Sequence, residues 1–117
     1  MSDAHKKTLE QANAAISRGD FEGFLAHCTE DTVWRFLGDR TLRGKAEVRA
    51  WMAEAYRQPP RFKLQRMIAE GDSLAALGQI TLIDDAGKEA EFAYCDVWRF
   101  EDGKLAELQA YVIAQGD

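Results

Sequence analysis

The sequence predicts an α+β fold, in which helices from the first half of the chain pack against an antiparallel sheet built from the second half. Apolar residues recur at helical spacing in three segments that precede residue 58. Four later segments have the composition of strands and are separated by short turn sequences. With 117 residues, of which 46% are hydrophobic, the chain can bury one core but not two. We therefore expect a single domain over residues 1–117.

Two helices are predicted at the start of the chain. Residues 3–17 carry apolar side chains on one helical face. Gly19 suits the left-handed conformation that follows many helices, and Asp20 can accept a backbone N–H as the N-cap of the next helix. The second helix is therefore expected over residues 20–29.

A short strand pair and a third helix follow. Residues 32–37 are rich in β-branched and aromatic side chains, and residues 41–43 form a possible return strand. Residues 45–57 again place apolar residues at helical spacing. The prolines at 59 and 60 have no backbone N–H, so we expect the helix to stop before them.

The sheet is predicted from residues 62–69, 74–83, 90–100 and 105–113. Short turns rich in Gly and Asp join these segments, so consecutive strands must be antiparallel neighbours. Apolar residues stand on both faces of the strands, and the three helices can cover only one face. We therefore expect the other face to pack against a second copy of the chain, as a homodimer. An ordinary, partly apolar outer face is the alternative.

Composition and charge disfavour several classes of function. The formal net charge is -5, and the basic residues are scattered, which disfavours binding to nucleic acid. No apolar run is long enough to span a membrane, and the first residues lack the apolar segment of a secretion signal. Cys28 and Cys95 lie far apart in apolar patterns and are expected to be reduced. We expect a cytoplasmic protein without a nucleic-acid or membrane partner.

Asp96 is the main candidate for a catalytic residue, because it lies among large aromatic residues. Alternation along residues 90–100 places it on the same strand face as Tyr94 and Trp98. Burial among rings should raise the pKa of its carboxyl group, so that the group can donate a hydrogen bond or transfer a proton. The alternative is a structural carboxylate paired with the backbone or with an arginine such as Arg35, whose charge would lower that pKa.

An aromatic pocket around Asp96 would suit a flat, mostly hydrophobic ligand with one or two oxygen atoms. The residues expected to bind the ligand are Arg35, Trp51, Met52, Tyr56, Gln79, Tyr94, Trp98 and Leu108. Core packing is the alternative for Met52 and a surface position for Arg35, while the strand face of Gln79 stays open. The two histidines, His5 and His27, lack the spacing of metal ligands, so no metal site is expected.

Five short segments resemble the SnoaL-like, ketosteroid-isomerase-like group of the NTF2-like superfamily. They are AAISRGDFEGFLA (14–26), EDTVW (30–34), GKAEVRAW (44–51), AEGD (69–72) and DVWRFEDGK (96–104). Together they span nearly the whole chain in the order that the family has. The resemblance implies a strongly curved sheet wrapped around the helices as a cone, a pocket between sheet and helices, and frequent dimerisation through the outer face of the sheet.

The resemblance carries over only part of the isomerase machinery. The aspartic acid that stays neutral in the oxyanion hole of the isomerases falls on Asp96. The tyrosine of the first helix falls on Ala12, and the aspartate that moves the proton falls on Arg35 or Phe36. Steroid isomerisation is therefore disfavoured.

A limonene-epoxide-hydrolase-like mechanism is disfavoured for the same reason. Its Arg and Asp pair falls near Gln79 and Thr81, and its last-strand Asp falls on Ala110. Two functions remain. One is a cofactor-independent isomerase or cyclase that acts on a small hydrophobic carbonyl compound, with Asp96 as acid/base or oxyanion donor. The other is a non-catalytic module for ligand binding or dimerisation.

Overall fold

Three helices and six strands make up residues 2–115, the part of the chain that the structure, a computed structural model, describes. The helices are α1 (Ser2–Ser17), α2 (Phe21–Leu25) and α3 (Gly44–Ala55). The strands are β1 (Cys28–Phe36), β2 (Arg40–Arg43), β3 (Gln58–Glu70), β4 (Ser73–Ile83), β5 (Glu89–Glu101) and β6 (Lys104–Ala114).

The junction between α1 and α2 forms as the sequence predicts. Gly19 has a φ of 79°, and its N–H donates to the carbonyl of Ile16 at 2.9 Å. The N–H of Asp20 donates to the carbonyl of Ala15 at 2.8 Å, which completes the paired hydrogen bonds of a Schellman motif. The Asp20 side chain then accepts from the N–H of Gly23 at 2.9 Å, so it caps α2.

Two helix ends differ from the prediction because strand pairing begins earlier than the sequence indicates. Helix α2 ends at Leu25, and Cys28 already pairs with Leu105 of β6. Helix α3 ends at Ala55, and Pro59 lies within β3 rather than in a loop. The sheet tolerates the prolines because β3 is an edge strand, where a missing N–H interrupts no second ladder.

The six strands form one sheet in the order β2-β1-β6-β5-β4-β3. The antiparallel pairing of β3 through β6 as consecutive neighbours is confirmed. The sheet is not wholly antiparallel, however, because β1 runs parallel to β6, with Trp34 opposite Leu108. The hydroxyl of Thr32 supports this pair, since it is buried and donates to the carbonyl of Leu105 at 3.1 Å.

The sheet is curved and does not close on itself, and the helices lie in its concave face. Register shifts in the β3–β4 and β5–β6 pairs mark irregularities of the bulge type, which bend strands and increase their twist. The core between helices and sheet includes Phe24, Val48, Met52 and Leu74, all within 1% of complete burial. None of the helices within residues 2–115 is long and apolar enough to cross a membrane.

Candidate functional site

A cavity of about 210 Å³ lies between the helices and the concave face of the sheet. Its wall is mostly apolar and aromatic. Side chains from all three helices and from strands β1, β3, β4, β5 and β6 contribute to it. All three tryptophans of the chain, Trp34, Trp51 and Trp98, border it. The cavity therefore has the character of a binding site for a small apolar molecule.

Strand β5 presents Tyr94, Asp96 and Trp98 to the cavity, because alternate residues of a strand share one face. Within residues 2–115 no hydrogen bond or ion pair engages the Asp96 carboxyl group. Burial raises the pKa of this group to about 7 from its ordinary value of 3.8. The carboxyl keeps partial accessibility because it borders the cavity, although protein surrounds it. At neutral pH it can therefore either accept or donate a proton.

Two tyrosines lie close enough to Asp96 to be influenced by its charge. Burial, and then the charge of Asp96, raises the pKa of Tyr94 to about 12. The same causes in the same order raise the pKa of Tyr56, which lies at the end of α3. Both phenols therefore stay protonated at neutral pH and can act as hydrogen-bond donors.

The Tyr94 hydroxyl is buried and has no hydrogen-bond partner within residues 2–115. It rests over Gly78 of β4, where a Cβ atom would lie 3.0 Å from the hydroxyl oxygen. Gly78 has no positive φ, so its backbone conformation does not require glycine. Glycine is needed here because the neighbouring atoms leave no room for a side chain. A buried hydroxyl without a partner costs about 1–3 kcal/mol, which a polar ligand atom can offset.

Trp34 is the centre of the aromatic wall. Its ring centroid lies 5.8 Å from that of Trp98 and 6.0 Å from that of Trp51, and both pairs meet edge to face. The Trp34 Nε1 atom is buried without a hydrogen-bond partner among the described residues. Because indole N–H is only a donor, an oxygen atom of a ligand would satisfy it.

Six of the nine residues predicted for the site border the cavity. They are Trp51, Tyr56, Tyr94, Asp96, Trp98 and Leu108. Their roles in binding or catalysis remain predictions, but they are brought together around one space. Residues that sequence reasoning missed also line it, among them Asn13, Trp34, Phe36 and Asp39.

The pocket placement of Arg35 is wrong. Trp34 and Phe36 face the cavity, so Arg35 between them points to the outer face. There its Nε donates to Oε2 of Glu107 at 3.0 Å. This hydrogen bond, together with a second from Arg99, lowers the pKa of Glu107. Arg35 therefore neither lines the cavity nor pairs with Asp96.

Gln79 and Met52 also lie away from the cavity. On β4 the cavity-facing residues are Ile80 and Leu82, so Gln79 takes the outer face. Met52 is 0% exposed and packs in the core, as the alternative interpretation held. The β4 face that borders the cavity is thus apolar. It lacks the Arg and Asp pair that a limonene-epoxide-hydrolase-like mechanism would need.

Asn13 and Asp39 are polar residues of the wall that carry no local signal in the sequence. Asn13 comes from α1 and Asp39 from the β1–β2 turn. The Asp39 side chain is 65% exposed and lies 3.5 Å from Arg40, so it belongs to the mouth of the cavity. Within residues 2–115, no three His, Cys, Asp or Glu side chains are placed to hold a metal ion.

The three helices and the curved six-stranded sheet have the NTF2-like fold, and they enclose an aromatic cavity with the Asp96 carboxyl group in its wall. The family model of the SnoaL-like domain matches residues 9–108. The chain therefore belongs to the SnoaL-like domain family. No curated protein shows significant sequence similarity to it.

Three solved structures share the fold of this chain. An NTF2-like protein of unknown function from Cytophaga hutchinsonii is 25% identical, with 92% of this chain and 97% of that chain covered and a TM-score of 0.74. An NTF2-like protein of unknown function from Burkholderia pseudomallei is 24% identical, with 94% and 90% covered and a TM-score of 0.83. An LEH-like epoxide hydrolase from M. tuberculosis is 20% identical, with 95% and 84% covered and a TM-score of 0.85. The last two likenesses show the fold alone.

Proposed function

We propose that the chain binds a small hydrophobic carbonyl compound and that Asp96 acts on it as a general acid/base or an oxyanion donor, without a cofactor. One observation carries this proposal: a carboxyl group with no pairing partner among the described residues lines an aromatic cavity, where burial raises its pKa to about 7. Such a group exists in both protonation states at neutral pH, which is the condition for efficient proton transfer.

The two forms of Asp96 support two parts of one reaction. The ionised form can remove a proton from the carbon next to a carbonyl group, and the neutral form can return a proton to another position. Alternatively, the neutral form donates a hydrogen bond to the oxygen of the enolate. Tyr56 stays protonated and shares the cavity wall, so it can supply a further donor. An isomerase or a cyclase would use these steps.

Exchange of carbon-bound hydrogen tests the chemistry without knowledge of the natural substrate. We would incubate 2-tetralone, a flat enolisable ketone, with the protein in D₂O and follow loss of the α-proton signals by NMR. The native chain should accelerate exchange over buffer, and Asp96→Asn should abolish the acceleration because an amide does not ionise. Asp39→Asn, which changes a carboxylate at the cavity mouth, should retain it. Native protein no faster than buffer would contradict the catalytic proposal.

A non-catalytic binding module is the second candidate, and the composition of the cavity wall favours it. Ala12, at the position of the isomerase tyrosine, is 0% exposed, and Phe36 presents a ring to the cavity. Quenching of tryptophan fluorescence by 2-tetralone, without any hydrogen exchange, would support this candidate over the first.

We propose that the convex face of the sheet forms a homodimer. Leu77, Cys95 and Tyr111 lie side by side across three strands of this face, and Tyr111 is 43% exposed. Nearby Ile113 is 65% exposed. A second copy of the same patch is self-complementary in a two-fold dimer, which would cover these side chains. Sedimentation that shows only monomer at micromolar concentration would contradict this proposal.

We also propose a cytoplasmic location, which the two cysteines support. Cys28 and Cys95 are both free, as expected in a reducing compartment. Burial raises the pKa of Cys28 to about 12, so its thiol is not reactive. Fractionation of cells that produce the chain tests the location, and recovery in an exported fraction would contradict it.

A further inference from the structure

A second concave site adjoins the cavity. It is a groove of about 440 Å³ between the end of α3 and the β4–β5 turn. Its floor is apolar and includes Ala55, Leu82, Ala90 and Phe92, whereas its rim is charged. Nothing in the proposed chemistry of Asp96 uses this groove.

The groove continues the same face of the sheet that lines the cavity. On β4 and β5 the cross-strand pairs run outward from Ala76 with Asp96, through Gly78 with Tyr94 and Ile80 with Phe92, to Leu82 with Ala90. Each step moves two residues along both strands, so all four pairs share one face. Along this face Asp96, Tyr94 and Ile80 border the cavity, Phe92 and Ala90 border the groove, and Leu82 borders both.

Two further features connect the cavity and the groove. Leu82 borders both the cavity and the groove. At the end of α3, Ala55 borders the groove and the next residue, Tyr56, borders the cavity. The groove is therefore not a separate surface depression but lies at the exit of the cavity.

Arg57 connects the two walls of the groove, which are the end of α3 and the β4–β5 turn. Its guanidinium group donates at 2.9 Å to Glu54 of α3 and at 2.9 Å to Asp85 of the β4–β5 turn. The arginine is thereby occupied by carboxylates of the chain itself and is not presented as a free site for an anion. The apolar floor, rather than the charged rim, offers the surface for a ligand.

The volumes show why a ligand would use both spaces. Ligand pockets usually measure about 300–1,000 Å³, and the cavity alone, at about 210 Å³, is smaller than that. We propose that the groove is the outer compartment of the ligand site, and that the ligand is an elongated carbonyl compound. Its ring and carbonyl oxygen lie in the cavity, and an aliphatic extension lies along the groove. This inference rests on the proposed function.

A homologous series of aryl ketones tests the inference. Acetophenone and hexanophenone share a ring and a carbonyl group and differ only in the length of the alkyl chain. Isothermal titration calorimetry gives the Kd of each, and quenching of the three cavity tryptophans gives a second measurement. Burial of the added methylenes in the groove should make hexanophenone bind the native chain roughly tenfold or more tightly than acetophenone.

Substitution of Ala90 separates the groove from the cavity. Ala90→Phe should fill the groove floor, so acetophenone should bind as to the native chain while the advantage of hexanophenone disappears. Ala90→Leu fills less space and should remove part of the advantage. Glu91→Phe places the same ring on the adjacent, outward-facing residue of β5, and it should behave as the native chain.

The outcomes distinguish the two proposals. If acetophenone binds but the preference for hexanophenone persists in Ala90→Phe, the groove is not part of the site and only this inference fails. If neither ketone binds the native chain, the proposed carbonyl ligand is itself wrong, and the inference that the groove is its outer compartment is contradicted as well. Loss of the preference in Glu91→Phe as well would show a general effect on the strand and would also overturn the inference.

Discussion

Replacement of Asp96 by asparagine should change how the stability of the fold depends on pH. Burial raises the pKa of Asp96 from 3.8 to about 7, so the folded chain holds this proton more tightly than the unfolded chain does. The stabilising effect of the proton is complete below the unfolded pKa and is lost as pH rises through about 7. The amide side chain of the Asp96→Asn variant has no such proton to lose, so the variant should not show this loss of stability.

The magnitude follows from the size of the pKa shift. A rise from 3.8 to about 7 corresponds to roughly 4 kcal/mol of folding free energy between the two ends of the titration. Water in the cavity can solvate the carboxylate, so this figure is an upper value. Even half of it is a large share of the roughly 5–15 kcal/mol that stabilises an ordinary domain.

Urea denaturation monitored by tryptophan fluorescence, at a series of pH values from about 4 to about 8.5, measures the effect. The free energy of unfolding of Asp96→Asn minus that of the native chain should grow from about pH 4 to about pH 7 and then level off, because the carboxyl is ionised in both the folded and the unfolded native chain at higher pH. Asp39→Asn is the control, because it makes the same replacement at a carboxylate that is 65% exposed rather than buried. Parallel pH curves for Asp96→Asn and the native chain would refute the idea that the Asp96 carboxyl is buried without a partner.

Three further predictions concern packing and assembly. Gly78→Ala should lower the free energy of unfolding by about 1–3 kcal/mol, because the new methyl group would press against the carbonyl oxygen of Lys63; unchanged urea denaturation would contradict this close approach. Phe24→Ala should cost about 3–5 kcal/mol, since the ring is 0% exposed in the core, and a loss below about 1 kcal/mol would show that the site collapses around the gap. Tyr111→Glu should convert the proposed dimer to a monomer in sedimentation velocity, and a variant that still sediments as a dimer would place the interface elsewhere.

The elements that the sequence predicts well are those whose signals are local. The Gly19 and Asp20 pair acts through hydrogen bonds within five residues, and it forms as predicted. The alternation that places Asp96 beside Tyr94 and Trp98 is a property of one strand, and these three residues meet in the cavity. Local chemistry thus predicts both the helix junction and the centre of the site.

The errors arise where distant segments decide the outcome. The parallel pairing of β1 with β6 depends on contacts between residues far apart in the chain, which no local pattern indicates. On β1, both faces carry large side chains, so the resemblance to the isomerases favours Arg35 rather than Trp34 as the inward residue. The size of Trp34 and Phe36 is a signal for the opposite choice. Asn13 enters the cavity wall only because α1 packs over the sheet.

The position of β1 beside β6 has a consequence for how the chain matures during synthesis. The Thr32 hydroxyl finds its acceptor, the Leu105 carbonyl, 73 residues later. Until β6 has been synthesised, β1 lacks its longer neighbour in the sheet, and Leu108, which lies opposite Trp34, is missing from the cavity wall. Distant pairings are slow to form, and unpaired strand edges favour aggregation, so the segment before β6 is exposed to this risk until β6 has been synthesised. The wall of the cavity is complete only after β6 has joined the sheet, because Leu108, Ala110 and Val112 belong to it.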